Sequence, residues 1–253
     1  MPDPTHSAAP SATPVVINVG DEVLLGESAN GNQQWMLATL QDHGLPAGLA
    51  LCLPDDVEVI GGWIRRLRQL GHGPLFVSGG IGGTHDDHTR EGIAVGLGLP
   101  LERDDRCHAL LTAKYGDRYT PQRQRMALLP KGSQLIANPI GAPGFAIEDV
   151  YAFPGFPQMV QPMMVEVLGW PALAKGQPAG TVKDYRLPCA EGEISMDVEA
   201  FAAAHPHAKI GIYPSSEHFA KEVLLRIRCG PEHAATLDQF GQLVDRLQSQ
   251  IAG

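Results

Sequence analysis

The sequence predicts an α/β protein in which a parallel sheet with a mixed edge carries helices on both faces, in three layers, followed by a second, smaller α+β domain. Three features predict this: short β-branched runs that alternate three times with amphipathic stretches, a glycine-rich acidic loop directly after the third run, and a change of texture beyond Gly169.

Val15 to Val19 is an apolar run that stops at Gly20-Asp21-Glu22, as a buried parallel strand stops at its carboxyl edge. From Gln33 to His43 the residues Trp35, Met36, Leu37 and Leu40 recur at helical spacing, and Gly44 supplies a stop. A strand over about Gly48 to Leu53 leads to Pro54-Asp55-Asp56, which opens a helix bearing Val57, Ile60, Ile64 and Leu67. Leu75 to Val77 forms the third strand, Ser78 to Asp87 the glycine-rich loop, and Thr89 to Leu97 a helix. Right-handed crossovers then place all three strand-to-helix loops along one edge of the sheet, where ligands of such sheets bind. Downstream, Leu101 to Tyr115 and Tyr119 to Met126 read as helices, Gln134 to Ile136 as a strand, Gly144 to Glu148 and Val150 to Phe153 as a hairpin, and Gln158 to Leu168 as a helix.

Pro171, Gly176, Pro178 and Gly180 read as a linker. The expected organisation is a disordered tail over 1–14, an α/β domain over 15–170 and the small domain over 181–253. In the latter, Thr181 to Leu187, Lys209 to Tyr213 and Glu222 to Arg228 read as strands, and Met196 to Ala204 and Pro231 to Ile251 as helices, so that helices cover one face of a mostly antiparallel sheet.

With 253 residues, 43% hydrophobic and 19% charged, the chain can bury a sizeable core. A net charge of -9 with scattered basic residues argues against a nucleic-acid partner. Cys52, Cys107, Cys189 and Cys229 form no CxxC pair, so free thiols in a reducing compartment are expected. No signal-peptide core and no apolar run long enough to span a bilayer is present, so the expectation is a cytoplasmic protein without a membrane partner.

The loop GGIGGTHDDHTRE, Gly79 to Glu91, carries most of the chemical information. Glycines after a buried strand let an anionic ligand approach main-chain amides, and the helix from Thr89 adds its positive end, so the loop can cradle a phosphate or nucleotide. The alternative is a tight turn in which Asp87 caps the next helix. Asp86 and Asp87 add negative charge, a conflict that a divalent cation bridging carboxylate and phosphate resolves. Asp21, Glu22, Asp55 and Asp56 end the neighbouring strands; each pair alone suits helix capping, and convergence on one edge is what points to chemistry. His85 and His88 are either metal ligands or solvated loop residues.

The segments GDEVLLGESANGNQQWMLATL from Gly20, FVSGGIGGTHDDHTREGIAVGLGLPL from Phe76 and NPIGAPGFAIEDVYAFPGFPQMVQPMM from Asn138 resemble the molybdopterin-binding domain family of MogA and MoaB, in the branch of the N-terminal half of CinA. The likeness spans roughly Val15 to Leu168. It implies the molybdopterin-binding fold and, in that branch, a metal-dependent pyrophosphatase acting on ADP-ribose or a related dinucleotide. The alternatives are molybdopterin binding in molybdenum cofactor biosynthesis and a non-catalytic nucleotide-binding module. Matched by motif, Gly20, Asp21, Asn32, Asp55, Gly79, Gly80, Gly82, Gly83, Thr84, Gly155 and Pro157 would contact ligand. Glu22, Asp86 and Asp87 would hold Mg, Mn or Co, with Asp86, Asp87 and Asp56 in catalysis and the amides of Gly80 to Gly83 stabilising developing charge. The partner would be a small nucleotide or pterin phosphate, and the protein a homo-oligomer, dimer or trimer. The family has Pro where this chain has Gly83 and an acidic residue where it has Asn30. The likeness stops short of the amidohydrolase domain of longer CinA proteins, so deamidation of nicotinamide mononucleotide is not expected of this stretch.

Overall fold

The computed structural model describes residues 13–173, 180–215 and 221–252. They fall in two compact units divided between Lys175 and Gly176. The tail expected over 1–14 lies outside the described residues up to position 12, whereas Thr13 and Pro14 already belong to the first strand.

In the first unit the strands are β1 (Thr13–Val19), β2 (Leu49–Leu53), β3 (His72–Ser78), β4 (Leu101–Arg103), β5 (Leu128–Pro130), β6 (Gln134–Ile136), β7 (Gly144–Ile147) and β8 (Val150–Phe153). The helices are α1 (Asp21–Leu24), α2 (Gly31–Asp42), α3 (Val57–Gln69), α4 (Thr89–Leu97), α5 (Asp105–Tyr115), α6 (Pro121–Gln124) and α7 (Pro157–Leu168). The main sheet has six strands in the order β2-β1-β3-β8-β7-β6. The first four run parallel, and β7 and β6 close the edge antiparallel.

Alternation along the central strands explains the layering. Val15, Ile17 and Val19 of β1 and Leu75 and Val77 of β3 pack with Ile60 and Ile64 of α3, Ile93 of α4 and Leu111 of α5. Val16 and Phe76 face the other way, onto Met36 and Leu40 of α2 and Val160, Met163 and Val167 of α7. Both faces are covered, so the strands read as continuous apolar runs. Each wholly buried side chain such as Ile17 or Phe76 contributes about 1.5–3 kcal/mol relative to an exposed position.

The stretch expected to be one helix over Leu101 to Tyr115 is instead β4 followed by α5. Asp104 breaks it: its carboxylate accepts from the Cys107 amide at 2.9 Å and caps α5. β4 pairs antiparallel with β5, a non-local ladder that local periodicity cannot reveal. The helix expected over Tyr119 to Met126 shrinks to the single turn of α6 between 3-10 turns.

Helices α3 and α4 meet through glycines. A Cβ on Gly92 would lie 2.6 Å from the Ile60 side chain, and one on Gly96 would lie 2.7 Å from that of Ile64. This close approach sets the two loops that precede the helices, 54–56 and 79–88, side by side.

The second unit comprises β9 (Thr181–Leu187), α8 (Glu191–Ala204), β10 (Lys209–Pro214), β11 (Val223–Cys229) and α9 (Ala234–Ala252). Its sheet is antiparallel in the order β10-β11-β9. Val223, Leu225 and Ile227 alternate inward and pack with Ile194 of α8 and Phe240 and Val244 of α9. Much of the expected linker, 174–179, lies outside the described residues. Among the described residues, no helix is long and apolar enough to cross a membrane.

Gly92→Ala should lower stability by about 1–3 kcal/mol in urea titration while retaining the far-ultraviolet circular dichroism spectrum. Gly62→Ala, on the same helix pair but with nothing within 4 Å of the added carbon, should be neutral or stabilising. Equal losses in the two variants would refute close packing as the cause.

Candidate functional site

Because β1, β2, β3 and β8 run parallel, their carboxyl ends emerge together, and the loops that follow enclose a cavity of about 470 Å³. Two backbone bonds extend the ladders into its floor, from Gly20 N–H to the Leu53 carbonyl and from Gly79 N–H to the Phe153 carbonyl, both 3.1 Å. Gly79 has φ 104°, and a Cβ there would lie 2.1 Å from the Val19 carbonyl oxygen. Only glycine fits this crossing.

Of the residues selected from sequence, Gly20, Glu22, Asn32, Asp55, Gly79, Gly80, Thr84, Asp86, Asp87, Gly155 and Pro157 line the cavity. Asp21, Asp56, Gly82 and Gly83 do not. Asp56 caps α3 by accepting from the Val59 amide at 2.9 Å, which ties its carboxylate to the helix. Asp21 stands behind Asp55: its amide donates to Asp55 Oδ2 at 3.0 Å and its Oδ1 accepts from the Asp55 amide at 3.3 Å. Gly83 lies against the Gln122 carbonyl, 2.4 Å from where a Cβ would be. His85 and His88 sit beside Asp86 and Glu91 and do not line the cavity.

The glycine loop is held from both sides by charge. Asp87 accepts from the amides of Gly82 and Thr84, both at 2.7 Å, and from the Thr84 hydroxyl. Arg90, 5% exposed, donates to the carbonyls of Ile81, at 2.6 Å, and Gly82. Burial lowers its affinity for its proton, and Asp87 and Glu91 oppose that effect. The expected cradle of amides from Gly80 to Gly83 is therefore largely occupied by the protein itself. Asp87 takes the Gly82 amide, and the Gly80 amide remains as the loop donor lining the cavity without an acceptor among the described residues.

The carboxylates form the dominant field. Burial pushes the Asp55 carboxyl above the ordinary range; the Asp21 amide pulls it back, and the charges of Asp21, Glu22 and Asp86 raise it further. Asp86 is held low, chiefly by the neighbouring Thr84 hydroxyl, with His85 and His88 assisting. No Lys or Arg is among the lining residues. Among the described residues, no group of three or more His, Cys, Asp or Glu is arranged as a ready-made metal site.

Opposite the loop, Asn32 Nδ2 donates to the Gly155 carbonyl at 2.6 Å and lies 3.4 Å from Ser78 Oγ, which itself donates to the Pro154 carbonyl at 3.2 Å. Asn18, Ser78 and Phe156, which is 66% exposed, also line the cavity or its mouth and were not selected from sequence. Asn18 could have been flagged as the one polar residue within the run VVINV.

These features define a phosphate-ligand pocket at the carboxyl edge of a three-layer α/β sheet. The chain belongs to the family described as the probable molybdopterin binding domain, whose model matches residues 15–175. It is similar to a CinA-like protein of Frankia casuarinae, 36% identical over 66% of this chain and 42% of that one, so the matched region spans less than half of that relative. A protein of Aeropyrum pernix is 29% identical over 88% of this chain and 86% of its own length. Among solved structures, CinA of Thermoplasma acidophilum, of unknown function, matches with a TM-score of 0.57 and 34% identity, covering 62% of this chain and 96% of that one.

Two outcomes follow for the site. Asp87→Ala should cost about 1–3 kcal/mol, the range for hydrogen bonds to a charged group, and speed hydrogen exchange across Gly82 to Thr84; Asp86→Asn should change neither. An Asp87→Ala loop as protected as the parent's would refute the clamp. For Asp55, a raised folded-state value means that the stability linked to its protonation is complete below its unfolded value, about 3.9, and is lost as pH rises through the folded one. Asp55→Asn should thus melt above the parent at neutral pH and together with it below about pH 3.5. A neutral-pH melting point equal to or below the parent's would contradict this.

Proposed function

We propose that the cavity binds a nucleotide pyrophosphate and hydrolyses it, with ADP-ribose or a related dinucleotide as substrate. The observation that carries this reading is the meeting of Glu22, Asp55 and Asp86 with the free Gly80 amide in one cavity lined by no Lys or Arg. Such a site repels a bare phosphate; it suits a phosphate that arrives with a cation. The donor set fits a hard divalent ion: Glu22, Asp55 and Asp86 would hold it together with the ligand, whereas Asp87 is engaged by its own loop. Such an ion neutralises phosphate charge and makes bound water a better nucleophile. The family resemblance of the CinA branch supports the same chemistry.

Hydrolysis adds water across the P–O–P bridge: the water oxygen bonds to one phosphorus, the bridging oxygen leaves on the other phosphate, and the products from ADP-ribose are AMP and ribose 5-phosphate. In this scheme Asp86, kept ionised, faces the reacting groups. Asp55, with its raised proton affinity, is the carboxylate suited to take a proton from the water. The Gly80 amide donates to a phosphate oxygen. Asp87 and Arg90 hold the loop in place.

Incubation with ADP-ribose and Mg²⁺, Mn²⁺ or Co²⁺ should yield AMP, chelator should stop it, and Asp86→Asn should slow it by about a hundredfold without loss of fold. Absence of AMP with all three ions would defeat the hydrolase reading. Binding of nucleotide without turnover would leave a non-catalytic module. A second reading, a pterin-phosphate site, is favoured by the description of the matched family. Calorimetry with tight binding of molybdopterin and none of ADP-ribose would select it.

A further inference from the structure

Buried side-chain polar atoms without a partner are uncommon and costly, about 1–3 kcal/mol each. Among the described residues, five such atoms occur: Asn18 Oδ1, His43 Nε2, Thr89 Oγ1, Arg90 Nε and Asp149 Oδ1. Only Asn18 lines the acidic cavity. It is 5% exposed and sits on β1 between Cys52 of β2 and Ser78 of β3, one residue before the strand ends.

The neighbours cannot satisfy it. Val16 of β1 faces α2 and α7, and residues two apart on a strand share a face, so Asn18 belongs to the wall formed by Asn32, Ser78 and the Gly155 turn. The hydroxyl proton of Ser78 goes to the Pro154 carbonyl, and the Asn32 amide to the Gly155 carbonyl and Ser78 Oγ. An acceptor is left beside the cavity with every nearby side-chain donor already committed. A phosphate oxygen cannot relieve it, because phosphate is itself an acceptor. A ligand hydroxyl can, and a vicinal diol matches a carboxamide, whose oxygen accepts and whose nitrogen donates.

We infer that Asn18 reads a ribose hydroxyl of the ligand, so that the sugar lies against the β1–α2 wall while the phosphate lies at Gly80. This rests on the nucleotide reading and adds to it the recognition of a sugar. The ribose 5-phosphate unit is common to both halves of ADP-ribose, so AMP is a sufficient probe.

The test compares binding of AMP, 2′-deoxy-AMP and 3′-deoxy-AMP, with Mg²⁺, to the parent protein and to Asn18→Leu by calorimetry. In the parent, loss of one of the two hydroxyls should weaken binding about three- to tenfold, the worth of one neutral hydrogen bond. In Asn18→Leu, AMP should bind as weakly as that deoxy analogue, and the discrimination should vanish. Removing a buried unpaired acceptor for an apolar group of similar size should leave the melting temperature of the free variant at or above the parent's, which separates lost recognition from lost fold. Asn18→Ser is the second variant; a hydroxyl can accept from the sugar, so part of the discrimination should return.

Parent protein that binds AMP and both deoxy analogues equally would overturn the assignment, as would a folded Asn18→Leu that still discriminates. Parent protein that binds neither AMP nor ADP-ribose would instead overturn the nucleotide reading, and the assignment with it.

Discussion

The parallel pairing of β1 with β2 and β3, and of β3 with β8, is the constraint on which the rest depends. Parallel neighbours in register must end at the same level, so four chain segments leave the sheet within one loop's reach of each other. No local interaction could bring Glu22, Asp55, Asp86 and Gly155 together; they lie far apart in sequence and are neighbours only because their strands are. The glycine contact between α3 and α4 refines this by drawing the second and third of these loops together. The helices on both faces keep the sheet dry, and the cavity at its edge is where burial and charge meet.

That meeting explains the division of labour in the glycine loop. Peptide groups are planar, so fixing a carbonyl fixes the amide on its far side. Arg90 takes the Ile81 carbonyl and Asp87 takes the Gly82 amide of the same peptide. The Gly80 carbonyl is held in turn by the Thr89 amide at 2.9 Å. The loop is thus an internally neutralised structure, one buried cation and one carboxylate, that offers few free donors to a ligand. Phosphate affinity in so acidic a cavity must then come from something brought in with the ligand. The need for a cation follows from the occupied amides as much as from the carboxylates.

Much of this was legible in the sequence. The apolar runs marked β1, β2 and β3, and the spacing of Ile60, Ile64 and Leu67 marked α3, because burial on both faces leaves a plain pattern. Asp55 and the Gly79–Gly80 turn were legible as site residues because strand ends carry ligands in this architecture. What escaped depended on distant partners. β4 reads as helix until β5 is known to pair with it. Asp56 and Asp87 look like catalytic acids until their bonds to Val59, Gly82 and Thr84 are seen. Asn18 looks like an imperfection in a core strand until the strand's last turnward position is seen to open on the cavity.

The departures from the family pattern also acquire local reasons. At Gly83 the chain has no room for more: the Gln122 carbonyl of α6 approaches so closely that a proline ring would have to push that segment away. The segment before β5 and the glycine loop are therefore fitted to each other, and a change in one must be matched in the other. Asn30 accepts from the Gln33 amide at 3.3 Å and caps α2, a task an aspartate performs equally well. What asparagine omits is a charge. It stands among the residues lining the cavity, where another carboxylate would add to the repulsion that already raises Asp55. With one negative charge fewer, the cavity requires less cationic compensation to admit a phosphate, and neutral donors and acceptors such as Asn18 and Asn32 carry a larger share of recognition.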